Sequence, residues 1–279
     1  MNKFIAAFDG LNFSESNCDY AVDFTKSEKA HLTGVFLDDK TYTSYKIYEL
    51  VIEEGVSEHK LKKLKHEDQE VRMNTSKKFE TICDDASIEY NIHHDNEIAV
   101  QELLHESIFA DLLIVNKDEK FVHHEEKFPS RFIKDILSHA QCPVLVTPDS
   151  FSPTEKIILL YNGEPNSVYA IKMFTYLFSS FHHLPVEIIL VKNIEDNLHL
   201  PDHKLLKELL RRHFPNTTYT VLKGIAEDEV VRHLQLENKR FITVLGAYRR
   251  TMVSRWFQSS LADALIKNFN MPVFIAHNK

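Results

Sequence analysis

The segment KFIAAFDG at residues 3–10 decides the fold, because a similar segment, KIILLYNG, follows 153 positions later at residues 156–163. Each copy is an apolar run that ends in an acidic or amide residue followed by glycine. Short apolar runs bounded by turn residues are typical of buried strands. Two such starts in a chain of 279 residues predict two similar domains.

Two later pairs of segments repeat with a shorter offset. CPVLV at 142–146 matches MPVFI at 271–275, and DLLIV at 111–115 matches RFITV at 240–244, both 129 positions apart. The two offsets differ by 24, so the second half lacks about 24 residues in its middle. The long charged segment at 45–83 is matched only by a short one at 202–213, which accounts for the deletion.

Apolar runs and amphipathic segments alternate along both halves. In the first half they predict strands at 3–8, 31–37, 87–92, 111–116 and 142–147, and helices at 14–29, 45–83, 97–108 and 129–139. In the second half they predict strands at 156–161, 186–192, 218–223, 241–245 and 272–276, and helices at 166–180, 202–213, 227–237 and 259–268.

Near-continuous apolar strands that alternate with helices indicate a parallel sheet covered on both faces. We therefore predict an α/β fold of two tandem five-stranded domains. The segment TPDSFSP at 147–153 contains two prolines and two serines and reads as a linker. It separates predicted domains at 1–149 and 154–279.

Composition excludes several classes of protein. Apolar residues make up 43% and charged residues 27%, and no apolar run is long enough to cross a membrane. The net charge is −8, divided into −12 for residues 1–150 and +4 for residues 151–279, so nucleic acid is a poor partner. Three widely spaced cysteines, Cys18, Cys83 and Cys142, favour a reducing cytoplasmic setting.

Ligands of open parallel sheets bind at the carboxyl ends of the strands. In the second half these ends carry Asn162-Gly163 and Gly246, followed by a loop with Arg249 and by Ser259-Ser260 at the start of a predicted helix. Hydroxyl groups, guanidinium groups and the N–H groups of a helix start suit a phosphate. The alternative is that Ser259 only caps the helix.

Both halves resemble the universal stress protein family in its tandem form. The family motif is G-x-x-G, nine residues, then glycine and serine or threonine. Here Gly246-Ala247-Tyr248-Arg249 is followed by nine residues and then by Ser259-Ser260. The spacing, the first glycine and the final hydroxyl are kept, whereas Arg249 and Ser259 replace the other two glycines. The resemblance covers nearly the whole chain.

The resemblance implies a Rossmann-like fold of the adenine nucleotide alpha hydrolase type, with the strand order 3-2-1-4-5. In this family the fifth strand pairs with its counterpart across a two-fold axis. Val144–Val146 and Val273–Ile275 are apolar enough for such a pairing, either between the two halves of one chain or in a homodimer.

The resemblance also assigns site residues. The adenine-contacting aspartate falls on Asp9 and on Asn162, and the apolar residue near the base falls on Leu37 and Val191. In the first half, Lys117-Asp118-Glu119-Lys120 replaces the glycines of the phosphate loop, and acids in this region would repel a triphosphate. The candidate nucleotide site therefore lies in the second half; its residues are Asn162, Gly163, Val191, Gly246, Arg249, Ser259 and Ser260.

Two functions remain open. The favoured one is a stress-response module that is degenerate in nucleotide binding and acts through protein contacts, using the charged and, on this interpretation, acidic helix at 45–83. The alternative is a stress sensor that binds ATP or another adenine nucleotide in the second half. No general base, G-x-S-x-G motif or P-loop is recognisable, so an enzyme is not expected. The paired histidines do not indicate a metal site.

Overall fold

The computed structural model describes residues 1–37, 47, 58–95, 98–122, 126–192, 202–246 and 261–277. The chain forms two compact units, Met1–Gln141 and Cys142–Lys279. The strands of the first unit are β1 (Lys3–Asp9), β2 (His31–Leu37), β3 (Tyr90–Asp95) and β4 (Leu112–Asn116). Its helices are α1 (Glu15–Glu28), α2 (Glu58–Ala86), α3 (Ala99–Glu106) and α4 (Arg131–His139), and a short 3₁₀ turn spans Ser107–Phe109.

The second unit contains six described strands and four described helices. The strands are β5 (Val144–Thr147), β6 (Lys156–Leu160), β7 (Val186–Lys192), β8 (Thr217–Lys223), β9 (Phe241–Gly246) and β10 (Val273–Ala276). The helices are α5 (Pro165–Leu177), α6 (His203–Arg211), α7 (Ala226–Leu234) and α8 (Leu261–Asn268), and a 3₁₀ turn spans Ser179–His183.

The strand order confirms the predicted α/β fold. In the first unit β3, β2, β1 and β4 lie side by side and are parallel. In the second unit the order β8-β7-β6-β9-β10 is parallel and gives the predicted 3-2-1-4-5 arrangement. The carboxyl ends of β1, β4, β6 and β9 therefore lie at the sheet edges where the candidate residues were placed.

Strand β5 pairs with β10 in antiparallel orientation inside the second unit. Val146 lies opposite Val273, and Val144 lies opposite Ile275. This is the pairing of fifth strands that the resemblance implies, and it covers one edge of each apolar strand. It places the last strand of the first repeat in the second compact unit. The domain boundaries at 149 and 154 stay a prediction.

The largest boundary error among the strands concerns β3, which was predicted at 87–92 and is found at Tyr90–Asp95. Helix α2 runs to Ala86, three residues beyond its predicted end. Ser87 then takes a left-handed conformation with φ of 55°, and the Ile88 amide donates to the Cys83 carbonyl. The left-handed residue ends the helix and reverses the chain before β3 begins. Glycine is the usual residue at such a position, so a serine there does not indicate a helix end from sequence.

Helix α2 has 29 residues, against nine in α6, which agrees with the deletion inferred for the second half. Glu58–Ala86 contains as many lysines and arginines as aspartates and glutamates, so describing this helix as acidic was wrong. The earlier part of the predicted helix includes Ile47, which is helical and buried. Leu50, Val51 and Gly55 lie outside the described residues.

Aromatic side chains form much of each core. In the first unit Phe8 stacks on Phe36 at 5.3 Å between ring centroids and also contacts Phe79. Gly34 makes room for this packing, because a Cβ atom there would lie 2.8 Å from the Phe79 ring. All three cysteines are free and buried, and burial raises the pKa of the Cys83 thiol to about 12. None of the described helices is long and apolar enough to span a membrane.

Candidate ligand-binding edges

The edge of the first unit is centred on Asp9, the last residue of β1. Its side chain is only 2% exposed, and its Oδ1 accepts a hydrogen bond from the Leu11 amide at 2.8 Å. Leu37 lies beside it in the register of β1 and β2 and is also buried. The structure thus brings these two residues together, as the resemblance implies, but it buries the acid.

Glu119 turns inward onto this edge. It lies in the turn Lys117–Lys120 after β4, where the Asp118 amide donates to Asn116 Oδ1 at 3.0 Å. Its side chain is 6% exposed. Burial, the nearby charge of Asp9 and that of Asp118 raise the pKa of Glu119 well above its usual range, while a hydrogen bond from the Asp9 main chain acts in the opposite direction. A carboxyl group of the chain itself therefore lies beside Asp9.

The start of α4 is occupied by side chains of the chain itself. Ser130 Oγ accepts from the Ile133 amide at 3.2 Å and donates to the Glu119 carbonyl at 2.6 Å. Glu126 Oε2 accepts from the Arg131 amide at 3.0 Å. A carboxylate at this position satisfies a helix N–H group and lies at the positive end of the helix dipole. Ser130 is the residue that matches Ser259 at the offset of 129.

A cavity of about 370 Å³ opens next to this helix start. Its lining residues are Lys117, Asp118, Lys120, Glu126, Phe128 and Ser130. Two lysines are thus balanced by two acids, in a region where a triphosphate site would need an excess of positive charge. Phe13 stacks on Phe8 at 5.0 Å, so a ring from the loop after β1 covers the aromatic core near Asp9.

The edge of the second unit is more open at the equivalent point. Asn162 is exposed, and its Oδ1 accepts from the Glu164 amide at 2.9 Å, while Gly163 has φ of 83°. Leu160 pairs with Ile189, so the register of β6 and β7 continues to place half-buried Val191 beside Asn162. By the same argument from β6 and β9, Gly246 lies beside Tyr161.

The structure explains why residue 246 is a glycine, which the sequence alone did not show. A Cβ atom at this position would lie 2.6 Å from the main-chain carbon and oxygen of Asn166 and 2.7 Å from the Ser167 nitrogen. The end of β9 thus touches the backbone of the first turn of α5. Since only glycine allows this approach, its presence is explained without a phosphate.

Four of the seven predicted nucleotide-site residues, namely Asn162, Gly163, Val191 and Gly246, are at this edge. The other three, Arg249, Ser259 and Ser260, lie outside the described residues, and their roles stay predictions. Sequence reasoning missed Tyr161, which precedes Asn162 and is 3% exposed. Burial and the nearby charge of Asp202 raise the pKa of its hydroxyl. Its position after an apolar strand was the signal that could have identified it.

No cluster of three or more potential metal ligands occurs within the parts of the chain that the structure describes. Both carboxyl edges present hydrogen-bonding groups, Asp9 in the first unit and Asn162 in the second.

No family model and no curated protein matches the sequence. Solved structures do match. A universal stress protein from Archaeoglobus fulgidus is similar with a TM-score of 0.68 and 14% identity, over 99% of this chain and 98% of that one.

Two further structures match over both halves. A protein of unknown function from Pseudomonas aeruginosa has a TM-score of 0.55 and 11% identity, over 99% of this chain and 92% of that one. The cytoplasmic domain of a prokaryotic cation chloride cotransporter has a TM-score of 0.52 and 12% identity, over 98% of this chain and 94% of that one. The chain therefore has, over both of its halves, the fold of a universal stress protein structure.

Proposed function

We propose that this chain is a tandem stress-response module of the universal stress protein type that is degenerate in nucleotide binding and acts through protein contacts. We further propose that it is cytoplasmic and has no catalytic activity. The fold and the filled edge of the first unit support the proposal.

The contact between Glu126 and the Arg131 amide carries the proposal. A phosphate at the start of α4 would have to displace this carboxylate and would then lie in a cavity that Asp118 and Glu126 line. These two acids would repel a phosphate, and Lys117 and Lys120 in the same lining only balance their charge. The base side is filled as well, because buried Glu119 lies beside Asp9. The first unit thus supplies its own anion where a nucleotide would place one.

The alternative function, an ATP-binding stress sensor, is favoured by the exposure of Asn162 and by the spacing from Gly246 to Ser260. Asn162 can hydrogen-bond a base or a ribose but carries no charge. Arg249 can either supply charge to a phosphate or block the backbone approach that glycine allows. This function needs only the second half.

The test is the nucleotide content of the protein purified without added ligand, followed by calorimetric titration with ATP. The proposal predicts no stoichiometric nucleotide and no heat of binding at millimolar ATP. About one adenine nucleotide per chain would support the sensor instead. Two nucleotides per chain would contradict the proposal that side chains fill the carboxyl edge of the first unit.

Two variants separate these outcomes. If the second half binds ATP, Ser260→Ala weakens it. Ser130→Ala, at the position of the first half that matches the neighbouring Ser259, is the control and should leave ATP binding unchanged. If Arg249 blocks the loop, Arg249→Gly creates or tightens binding. Weaker binding in Arg249→Gly would make this arginine a phosphate ligand.

The part of α2 from Lys60 to Met73 is the surface that we propose for protein contacts. Met73 is 56% exposed and Val71 is 43% exposed, and Lys60 and Lys62 are exposed near the helix start. A photo-crosslinking amino acid at position 73 should capture one specific partner in stressed cells. The same group at Leu236, which is 77% exposed in the second unit, is the control. Equal capture at both positions would contradict the assignment.

A further inference from the structure

The turn Lys117–Lys120 carries an acid at a place where an exposed turn residue would be expected. Glu119 is 6% exposed, although Asp118 and Lys120 on either side of it are exposed. Three hydrogen bonds hold the turn in this conformation: the Glu119 amide to the Asn116 carbonyl at 3.2 Å, the Asp118 amide to the Asn116 side chain, and Ser130 Oγ to the Glu119 carbonyl.

The groups that face Glu119 make its ionisation costly. Asp9, at the end of β1, is itself 2% exposed, and Asp118 belongs to the same turn. Lys117, Lys120 and Glu126 line the adjoining cavity, where Glu126 caps α4 beside Arg131. Two buried carboxyl groups side by side favour a state in which one of them keeps its proton.

We propose that the turn Lys117–Lys120 is a proton-operated latch at the edge of the first unit. While the Glu119 carboxyl is neutral, the side chain stays buried beside Asp9 and the turn is closed. When the carboxyl loses its proton to water, the ion leaves the buried position, the turn opens, and the cavity of about 370 Å³ enlarges toward Asp9. The latch does not depend on the proposed function, since it requires neither nucleotide nor partner.

The sign of the effect follows from linkage. Burial raises the pKa of Glu119, so the closed turn binds a proton that the open turn releases. The closed form therefore has its full advantage below the ordinary pKa of a glutamate and loses it as pH rises toward the raised value. Within that range the open-to-closed ratio increases up to about tenfold for each pH unit.

Hydrogen exchange of the Asp118 and Glu119 amides tests the latch directly, after correction for the intrinsic pH dependence of exchange. In the wild type, protection of these two amides should fall with rising pH. In Glu119→Gln, which is neutral at every pH, protection should be high and independent of pH. Glu126→Gln, a matched change at the same edge, should keep the wild-type pH dependence.

A second measurement keeps the test decisive if a variant does not fold. The Glu119 carboxyl can be followed by carbon NMR in the wild-type protein as pH is varied. Titration well above the usual range, together with loss of amide protection over the same interval, supports the latch. Titration at an ordinary glutamate pKa overturns it, and so does protection that stays constant across the titration.

Discussion

The carboxyl edges of the two units share one local turn geometry, but the residue that forms the turn is buried in the first unit and exposed in the second. Asp9 and Asn162 each accept a hydrogen bond from the amide two residues later, at 2.8 and 2.9 Å. Asp9 is buried, however, whereas Asn162 is exposed. In the first unit the buried Glu119, in the turn after β4, lies close to Asp9. A repeated scaffold thus keeps its turn chemistry even where the space above it has been filled.

The opposite ends of the sheets show a second parallel. Lys3, at the start of β1, contacts Glu106, and Glu106 Oε1 lies 2.6 Å from His93 Nδ1. Lys156, at the start of β6, contacts both Glu187 and Glu237, and Glu187 also accepts from Thr220 and lies 2.9 Å from His233 Nε2. Both units therefore anchor their first strand through a lysine, an acid and a histidine.

The largest effect on stability is expected from removal of the acid in the second of these two lysine–acid–histidine groups. Glu187→Ala leaves the lysine with one acid fewer, and Lys156 and Glu187 side chains are only 16% and 8% exposed. We expect a loss of about 3 kcal/mol in the free energy of unfolding of the second unit. Glu106→Ala is the matched change, and it should cost about 1 kcal/mol because Lys3 and His93 are more exposed. Urea unfolding measures both, and equal losses would contradict the comparison.

The same network sets a pH dependence. Burial raises the pKa of Glu187, but its hydrogen bonds to Lys156, Thr220 and His233 outweigh this and lower the pKa overall. Its contribution to stability is therefore complete above the ordinary glutamate pKa and is lost as pH falls through the lowered value. Acid unfolding of Glu187→Gln should show less pH dependence in this range than the wild type. This is opposite in direction to Glu119, whose raised pKa weakens the closed turn as pH rises.

Gly246→Ala should have the next largest effect. The new Cβ atom would clash with the backbone of Asn166 and Ser167, which cannot move away as a flexible side chain can. We expect a loss of about 2 kcal/mol in the unfolding free energy. Lys117→Ala, at the matching position of the first unit, should change it by less than about 0.5 kcal/mol. A neutral Gly246→Ala would show that the glycine is not needed for packing.

Ser130→Ala removes the cap of α4 and the bond to the Glu119 carbonyl. The expected loss is about 1 kcal/mol. Ser138→Ala, on the same helix, removes only a bond to the Lys134 carbonyl and is the control. Thermal unfolding compares the two variants, which should differ clearly; similar melting temperatures would argue against a role of Ser130 in closing the edge.

The smallest effect is expected at the start of α5. Its N-cap residue Glu164 makes no side-chain capping bond, in contrast to Ser14, which caps α1 by accepting from the Asn17 amide. Glu164→Asp places a shorter carboxylate at this position and should stabilise the unit by about 0.5 kcal/mol. Glu164→Gln, which keeps the length, should be neutral. Destabilisation by Glu164→Asp would show that the second unit is more stable when the N-cap side chain of α5 makes no capping hydrogen bond.

Much of the fold could be predicted because apolar runs mark buried strands. Nine of the ten predicted strands lie within two residues of the observed bounds. Only β3 lies further from its predicted position, because the left-handed Ser87 delays the start of the strand. The repeat was less reliable for single residues. Ser14 and Ser167 match in sequence, but α5 begins at Pro165, so Ser167 lies inside the helix and donates to the Glu164 carbonyl.

The candidate site was harder to predict, because burial of a charge depends on three-dimensional neighbours. The acids after β4 were expected to repel a triphosphate, but sequence could not show that Glu119 turns inward or that Glu126 caps α4. Gly246 was assigned to a phosphate loop, although the backbone of α5 already requires it. A glycine that permits close approach does not reveal which group approaches.

We propose that side chains of the first unit occupy the place that a nucleotide would take. Addition of millimolar ATP to isotope-labelled protein, followed by amide NMR, tests it most directly. The amides of Leu11, Asp118 and Arg131, which donate to Asp9, Asn116 and Glu126, should not shift. The Glu164 amide, which donates to Asn162, reports on the second unit in the same spectrum. Saturable shifts of the Asp118 and Arg131 amides would contradict the claim.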